Sequence, residues 1–251
     1  MKHMNEKNEK NEKGDASHFL YQPPLVPLQI VYEDRDIVAV NKPSGLLSVS
    51  SQNHLDSVEF RLRERYKKQS NIHVYPIHRL DLDTSGVLVF ALRKKAEREL
   101  KIQFMERRVI KEYQAIVLGR IVEQEFVVDV PLKHQNTEDD KTGPPISEVC
   151  FQDGKNSKTK VRVLSTGQSF FGEWTHVQLF PLTGRSHQLR VHMSHIGHSI
   201  LGDRLYGGMV EGVTDPKIQL LHLHAQKLQI QHPYHSKIVQ ISTPEPFALF
   251  R

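Results

Sequence analysis

Residues 78–92 read HRLDLDTSGVLVFAL, a dense polar run that leads directly into six apolar residues. The apolar part, Val87 to Leu92, has the length and composition of a buried β-strand. Charged side chains at the mouth of such a strand need partners if they are buried with it. Arg79 and Asp81 are two residues apart and share one face if that segment is extended. The stretch therefore predicts a buried strand with a polar site at its start.

Strand patterns on both sides of this stretch decide the fold class. The predicted strands outnumber the helices and do not alternate regularly with them, which favours an α+β fold with a largely antiparallel mixed sheet flanked by helices and loops. The predicted strands are Leu28 to Tyr32, Ile37 to Val40, Val87 to Leu92, Glu112 to Leu118, Phe126 to Val130, Lys160 to Leu164, Thr175 to Phe180, Lys227 to Gln231 and Ile238 to Ser242. The predicted helices are Ser57 to Lys67, Ala96 to Met105 and Gln188 to Ile196.

The N-terminal residues differ in character from the rest of the chain. Asn-Glu-Lys occurs three times between Asn5 and Lys13, and no apolar side chain interrupts it. Such a segment has nothing to bury, so we expect residues 1–17 to be a disordered tail. Residues 135–145 are polar and predict a long loop. We expect residues 18–251 to form one catalytic domain.

Composition limits the classes of protein to consider. The 251 residues carry a formal net charge of +5 and a pI of about 9.2, which makes nucleic acid a reasonable first partner. The single cysteine, Cys150, excludes an intramolecular disulfide scaffold and favours a reducing, cytoplasmic location. No stretch reads as a secretory signal or a membrane span, so we expect no membrane partner.

Two further polar motifs interrupt the apolar pattern. Asn41-Lys42-Pro43-Ser44-Gly45 ends a predicted strand, where Pro and Gly on their own indicate a tight turn. Residues 183–192, TGRSHQLRVH, follow another strand and indicate a turn into a helix N-terminus, a place suited to anions. Polar residues continue beyond this second motif through Gly202, Asp203 and Tyr206.

Taken together, these motifs resemble the RluA family of RNA pseudouridine synthases. The matching segments are residues 41–45, 78–86, Lys111-Glu112-Tyr113, 183–192 and Leu201-Gly202-Asp203, in family order from about Tyr21 to Phe247. The resemblance is closest to the RluA branch itself, and the segment before Asn41 is too short for the S4 RNA-binding domain of other branches. It implies a pseudouridine synthase fold and, as substrates, 23S ribosomal RNA and the anticodon stem-loop of tRNA.

The resemblance also implies roles for particular residues. The catalytic carboxylate is Asp81, the arginine that pairs with it is Arg185, and Tyr113 packs against the target base. Arg79 helps to fill the space that the flipped base leaves. A positive charge nearby favours an ionised carboxylate, which suits a nucleophile or base. Pseudouridine formation is an isomerisation, so we expect neither cofactor nor metal.

Several basic residues are candidates for RNA phosphate contacts. Arg61 and Arg65 form a stripe with Lys68 at helical spacing, although such a stripe is also typical of a solvated face. Lys42 and Arg190 belong to the motifs and are further candidates. The expected partner is RNA, bound by a monomer.

Two other functions are consistent with parts of the sequence. His187, His192, His195 and His198 lie close in sequence and His222-Leu223-His224 forms an HxH, which raises a zinc hydrolase, although arginines surround the first group and would repel a cation. A catalytically inactive RNA-binding module would lack Asp81, Tyr113 or Arg185, and all three are present.

Overall fold

The structure, a computed structural model, describes residues 21–135, 146–247 and 250. The predicted tail, residues 1–17, lies outside the described residues, and so does the predicted loop apart from Gln135.

Twelve strands are present in the described part of the chain. Their bounds are β1 Gln29–Glu33, β2 Ile37–Lys42, β3 Tyr75–Pro76, β4 Ser85–Ala91, β5 Ile110–Leu118, β6 Glu125–Asp129, β7 Leu132–Gln135, β8 Ile146–Val149, β9 Lys158–Ser169, β10 Gly172–Pro181, β11 Leu223–Gln231 and β12 Ile238–Ser242.

Ten of these strands form one sheet. Its main path runs β1-β2-β4-β11-β5-β10-β9-β6, with β12 paired to β11 and β3 paired to β4. Every pair is antiparallel except β4 with β11, which is parallel. A Cβ at Gly86 would lie 2.3 Å from the carbonyl oxygen of Ala225, so only glycine permits this close approach of β4 to β11. The separate β7–β8 hairpin completes the strands.

Four helices in the described part of the chain pack around the sheet, and side-chain caps begin two of them. They span α1 Val58–Tyr66, α2 Lys94–Met105, α3 Gln188–His195 and α4 Pro216–Gln219. The Ser57 hydroxyl accepts the N–H of Phe60 and caps α1. In the same way, Asp215 accepts the N–H of Lys217 and caps α4, which has Pro216 in its first turn.

The apolar run in β4 is continuous because both faces of the strand are buried. Leu88 and Phe90 belong to the cluster that includes Leu62 of α1. Val87 and Val89 belong to the cluster that includes Leu100 of α2. Side chains alternate across a strand, so β4 needs apolar residues at every position. This double packing holds the polar residues before β4 in a fixed place.

The predicted α+β class with a largely antiparallel mixed sheet is confirmed. The patterns did not predict the short β3 and α4 or the β7–β8 hairpin. Within the described residues, no helix is long and apolar enough to cross a membrane.

Candidate active site

The segment before β4, the middle of β5 and the turn into α3 meet around one cleft. Its volume is about 510 Å³, in the range of small-molecule sites. Long-range sheet pairing thus brings together residues 78–86, Lys111-Glu112-Tyr113 and residues 183–192, three of the segments that carry the resemblance. The residues that line the cleft include His78, Arg79, Asp81, Thr84, Phe104, Lys111, Tyr113, His134, Thr183, Gly184, Arg185, His187 and Arg190.

Asp81 is a partly exposed carboxylate in this cleft, with 27% of its side chain accessible. Its Oδ2 lies 3.5 Å from Nη1 of Arg190, and its Oδ1 lies 3.8 Å from Nε2 of His187. Both separations are longer than an ordinary charge-assisted hydrogen bond. The carboxylate thus faces one donor on each oxygen but is not tightly engaged by either.

A second carboxylate fixes Arg190 in place. Nε and Nη2 of Arg190 donate to the two oxygens of Asp203 at 2.8 Å each, a bidentate pair in which the Asp203 side chain is fully buried. These bonds raise the pKa of Arg190 despite the opposing effect of burial. Asp203 also accepts the N–H groups of Leu205 and Tyr206. Arg190 is therefore held rigidly, with Nη1 directed at Asp81.

His187 occupies an unusual backbone position at the N-cap of α3. Its φ is 53°, in the left-handed region that is uncommon outside glycine. Its Nδ1 lies 2.7 Å from the hydroxyl of Tyr206, and that hydroxyl accepts the N–H of Ser147 in β8 at 2.9 Å. Burial, together with the positive charge of Arg190, lowers the pKa of His187 despite the opposing charge of Asp81.

Gln188 shapes the turn that presents these groups. Its Oε1 accepts hydrogen bonds from the Thr183 hydroxyl at 2.7 Å and from the N–H of Arg185 at 3.1 Å. Its Nε2 donates to the carbonyl of Lys158 and the hydroxyl of Thr159, both at 3.0 Å. The TGRSHQ turn is thereby fastened to β9.

Tyr113 comes from β5 and supplies the aromatic wall of the cleft. Burial raises its pKa, and the negative charge of Asp81 adds to this effect. The phenol is therefore neutral at physiological pH. Lys111 reaches the same cleft and donates to the carbonyl of Thr183 at 3.3 Å. Burial and the neighbouring Arg107 lower the pKa of Lys111.

Comparison with known proteins identifies the family of the chain that carries this cleft. Residues 36–195 match the family model described as RNA pseudouridylate synthase. The chain belongs to this family.

Curated relatives place it more narrowly, in the RluA family of RNA pseudouridine synthases. The chain is 43% identical to "Dual-specificity RNA pseudouridine synthase RluA" of Escherichia coli strain K12, over 90% of this chain and 98% of that protein. It is 41% identical to the protein of the same name from Pasteurella multocida, with the same coverage. The chain is therefore an RNA pseudouridine synthase, an isomerase.

Solved structures agree with this placement. The human RNA pseudouridylate synthase domain containing 1 superimposes with a TM-score of 0.69 at 33% identity, covering 88% of this chain and 84% of that one. The human domain containing 4 gives a TM-score of 0.67 at 24% identity, which supports the pseudouridine synthase fold. The predicted fold and family are confirmed.

The arginine beside Asp81 differs from the one that the sequence indicated. Arg185 lines the cleft, but its Nε donates to the carbonyl of Asn156 at 3.3 Å. In the described structure it is Arg190 that pairs with Asp81. Arg190 is buried, which removes it from the candidates for phosphate contact. The assignment of Arg185 as the partner of Asp81 came from the family resemblance, and the structure places Arg190 in that position instead.

Lys42 is a second correction, because this pseudouridine synthase buries it completely. Its Nζ donates to the carbonyls of Leu46 at 2.6 Å, Leu82 at 2.7 Å and Pro43 at 3.0 Å. Burial lowers the pKa of Lys42 to about 7, against the opposing charges of Asp83 and Asp81. Lys42 therefore ties the NKPSG turn to the segment that carries Asp81 and does not contact phosphate.

The basic stripe on α1 is also engaged within the protein. Arg61 binds both oxygens of Asp56 at 2.8 Å and donates to the carbonyls of Pro24 and Val26. Arg65 pairs with Glu33 at 3.0 Å. Neither lines the cleft, and the prediction that they contact RNA phosphates stays a prediction. Arg79 remains exposed and lines the cleft.

Two of the histidines proposed for a metal site, His192 and His224, bind separate protein groups instead. His192 lies within 3.0 Å of the hydroxyls of Ser157 and Thr159, and His224 bonds Ser85 and Thr243. Burial lowers the pKa of both His192 and His224 to about 4. Within the described residues, the one grouping with metal-ligand spacing is Asp34, Asp36 and His232, outside the cleft.

Sequence reasoning missed the second layer of the site. Asp203 and Tyr206 were quoted as parts of a motif and His187 was considered only as a zinc ligand, so none of the three was assigned to the site of Asp81. The available signal was a lone acid, Asp203, thirteen residues after Arg190 in a basic segment.

Proposed function

We propose that Asp81 is the carboxylate that carries out the isomerisation. The observation that supports this most is its position in the cleft, partly exposed, with Arg190 beside one oxygen and no close hydrogen bond on either. A carboxylate oxygen without a close donor keeps its lone pairs free to attack or to accept a proton.

Tyr113 packs against the target uracil in this proposal. It lies in the same cleft as Asp81, and its neutral phenol combines an aromatic face with a polar tip. Uracil is released from its ribose carbon, turns and rejoins through its C5, with the C5 proton lost and a proton gained at N1. A flat aromatic wall holds the detached base during that turn.

The substrate is an RNA loop in which the uridine can leave its stack. Extrusion of a base costs a few kcal/mol and is cheapest where the base is already unpaired. Arg79 is exposed at the cleft, where its planar guanidinium can stack in place of the extruded base. Arg185 lines the same cleft and serves as a further RNA contact.

The target RNAs are the anticodon stem-loop of tRNA and 23S ribosomal RNA. The relatives from Escherichia coli and Pasteurella multocida are named dual-specificity RNA pseudouridine synthases, which supports more than one RNA substrate. We further propose that the protein acts in the cytoplasm as a monomer. Residues 18–251 form the single catalytic domain, and residues 1–17 are a tail that catalysis does not use.

The test is to map pseudouridine by carbodiimide-blocked primer extension. Unmodified tRNA and 23S ribosomal RNA transcripts are each incubated with the full chain, with and without EDTA. We expect a new stop in the anticodon loop and one in 23S RNA, both unaffected by EDTA and absent with Asp81→Asn. A stop in one RNA alone would contradict dual specificity. Loss of the stops in EDTA would contradict metal-free chemistry, and stops with Asp81→Asn would contradict its role.

A further inference from the structure

His187, at the start of α3, has a left-handed backbone conformation. Among the described non-glycine residues, only Arg107 and His187 have positive φ. Residues other than glycine are uncommon in this region, and such strained positions are concentrated at functional sites. The His187 side chain accepts no hydrogen bond from the first turn of its helix. Its imidazole instead extends between Tyr206 on one side and Asp81 on the other.

The hydrogen bonds around Tyr206 favour one tautomer of His187. The Tyr206 oxygen accepts the N–H of Ser147, so its own hydrogen is free to be donated to Nδ1 of His187. A neutral imidazole that accepts at Nδ1 carries its proton at Nε2. Nε2 is the atom that faces Oδ1 of Asp81 at 3.8 Å.

The ring is neutral because of its surroundings. Burial and Arg190 lower the pKa of His187, although Asp81 and Asp203 oppose them. A neutral Nε2–H is a weaker donor than a cation, so it orients the carboxylate without quenching its charge. The positive charge of Arg190 lies beside Oδ2 of Asp81, and Nε2 of His187 lies beside Oδ1.

We propose that His187, held in one tautomer by Tyr206, is a positioning residue that orients Asp81 for the reaction. This inference rests on the proposed role of Asp81. It also links the β7–β8 hairpin to the cleft, because the N–H of Ser147 in β8 fixes the Tyr206 hydroxyl. His134 in β7 lines the same cleft, so the hairpin reaches the site through two residues.

The first test removes the Tyr206 hydroxyl with Tyr206→Phe. Single-turnover rates of pseudouridine formation are measured on an anticodon stem-loop RNA with saturating enzyme, across pH, together with the Kd for RNA and the Tm. We expect the rate to fall about three- to ten-fold, the value of one hydrogen bond, with Kd unchanged. The acidic limb of the rate profile should move to higher pH, because the lost donor had stabilised the neutral ring.

The groups that face His187 must all be considered in this pH profile. They come from the segment before β4, from β7, from α3 and from the segment after it, and they are Asp81, His134, Arg190, Asp203 and Tyr206. Of these, only Tyr206 is changed in the variant, so a shift of the limb reports the loss of its hydroxyl.

Tyr32→Phe is the matched control for a purely structural loss. Tyr32 donates to a carboxylate oxygen of Asp34 at 2.7 Å, the same distance as that between Tyr206 and His187, and it does not line the cleft. We expect this control to lower the Tm with no change in rate or pH profile. If Tyr206→Phe behaves like Tyr32→Phe, the inference is wrong.

A second pair of variants distinguishes the loss of contact between residue 187 and Asp81 from a loss of folding. In His187→Asn the new side chain tolerates the left-handed backbone well but is too short to reach Asp81. We expect its Tm to stay close to that of the wild type, because the more tolerant backbone offsets the lost bond to Tyr206, and its rate to fall at least ten-fold. His187→Gln restores an N–H donor of longer reach and should recover part of that rate. A wild-type rate in His187→Asn would overturn the inference.

Asp81→Asn measured beside these variants distinguishes the two possible failures. If Asp81→Asn retains the wild-type rate, the proposed role of Asp81 fails and the inference fails with it. If Asp81→Asn is inactive while the His187 and Tyr206 variants react at the wild-type rate, only the inference fails.

Discussion

Two aspartate–histidine pairs in this protein differ in how closely the carboxylate is hydrogen-bonded. At the β1–β2 turn, Oδ1 of Asp34 accepts the N–H groups of Asp36 and Ile37, both at 2.8 Å. Its Oδ2 accepts the Tyr32 hydroxyl at 2.7 Å and Nε2 of His232 at 3.0 Å. Burial alone would raise the pKa of Asp34, but these four hydrogen bonds outweigh it and lower the pKa.

The pair in the cleft is looser at every contact. Asp81 has His187 at 3.8 Å and Arg190 at 3.5 Å, although its exposed fraction, 27%, equals that of Asp34. The two carboxylates are therefore equally buried and differ in how many close hydrogen bonds they accept. A carboxylate with four close donors serves the fold, whereas one with two distant donors retains lone pairs for a substrate.

Replacing the aspartate by asparagine at the two sites should impair different properties, the reaction rate at Asp81 and the stability at Asp34. Asp81→Asn removes the charge that the reaction uses, so we expect the single-turnover rate to fall by more than about a thousandfold. The Tm and the Kd for RNA should change little, because Asp81 makes no close hydrogen bond. Rate, Tm and Kd are measured on one preparation. An Asp81→Asn protein that is active but unstable would invert the assignment of the two sites.

Asp34→Asn should have the converse effect, a loss of stability at full activity. All four partners of Asp34 are donors, so the new amide nitrogen meets a donor wherever it points. We expect the free energy of unfolding in urea to fall by about 1–3 kcal/mol, with the pseudouridine rate unchanged. A drop in rate at temperatures where the variant is folded would show that the turn acts on the cleft.

The advantage of the wild type over Asp34→Asn should also depend on pH. A carboxyl group whose pKa is lowered by folding adds stability above its unfolded pKa of about 3.9, and that contribution is lost as the pH falls through the folded pKa. Urea unfolding at several pH values should give a difference that is constant above about pH 5 and shrinks below about pH 4. A difference that grows on acidification would mean that the pKa of Asp34 is raised.

The fold was more accessible from sequence than the site because its signals are local. Apolar runs such as Val87 to Leu92 mark strands without knowledge of what they pair with. The β7–β8 hairpin was missed because its eight residues, LKHQ and ISEV, are mostly polar. The motifs located Asp81, and the structure brings Tyr113 to the same cleft.

The partners of Asp81 depend on contacts between distant segments. Arg190 can be buried only because Asp203 returns to meet it, thirteen residues later and after the end of α3. Nothing in TGRSHQLRVH distinguishes the inward Arg190 from Arg185 without that contact. Lys42 is a similar case, because its burial depends on the carbonyl of Leu82, forty residues away.

The smallest expected effect concerns Thr84, three residues after Asp81. Its hydroxyl oxygen is buried and has no hydrogen-bond partner among the described residues, in contrast to the saturated turn at Asp34. Valine has nearly the same shape without the polar atom, so Thr84→Val should raise the free energy of unfolding by up to about 1 kcal/mol.

Thr84 also lines the cleft, so the same variant tests whether unsatisfied polar groups are kept there for RNA. A variant that is more stable but reacts more slowly would show that stability is given up for activity at this position, as happens at many active sites. Unfolding in urea and single-turnover rates at one pH are sufficient to decide. A less stable Thr84→Val would show that the hydroxyl is satisfied in the folded protein, and the contrast with the Asp34 turn would then be confined to Asp81.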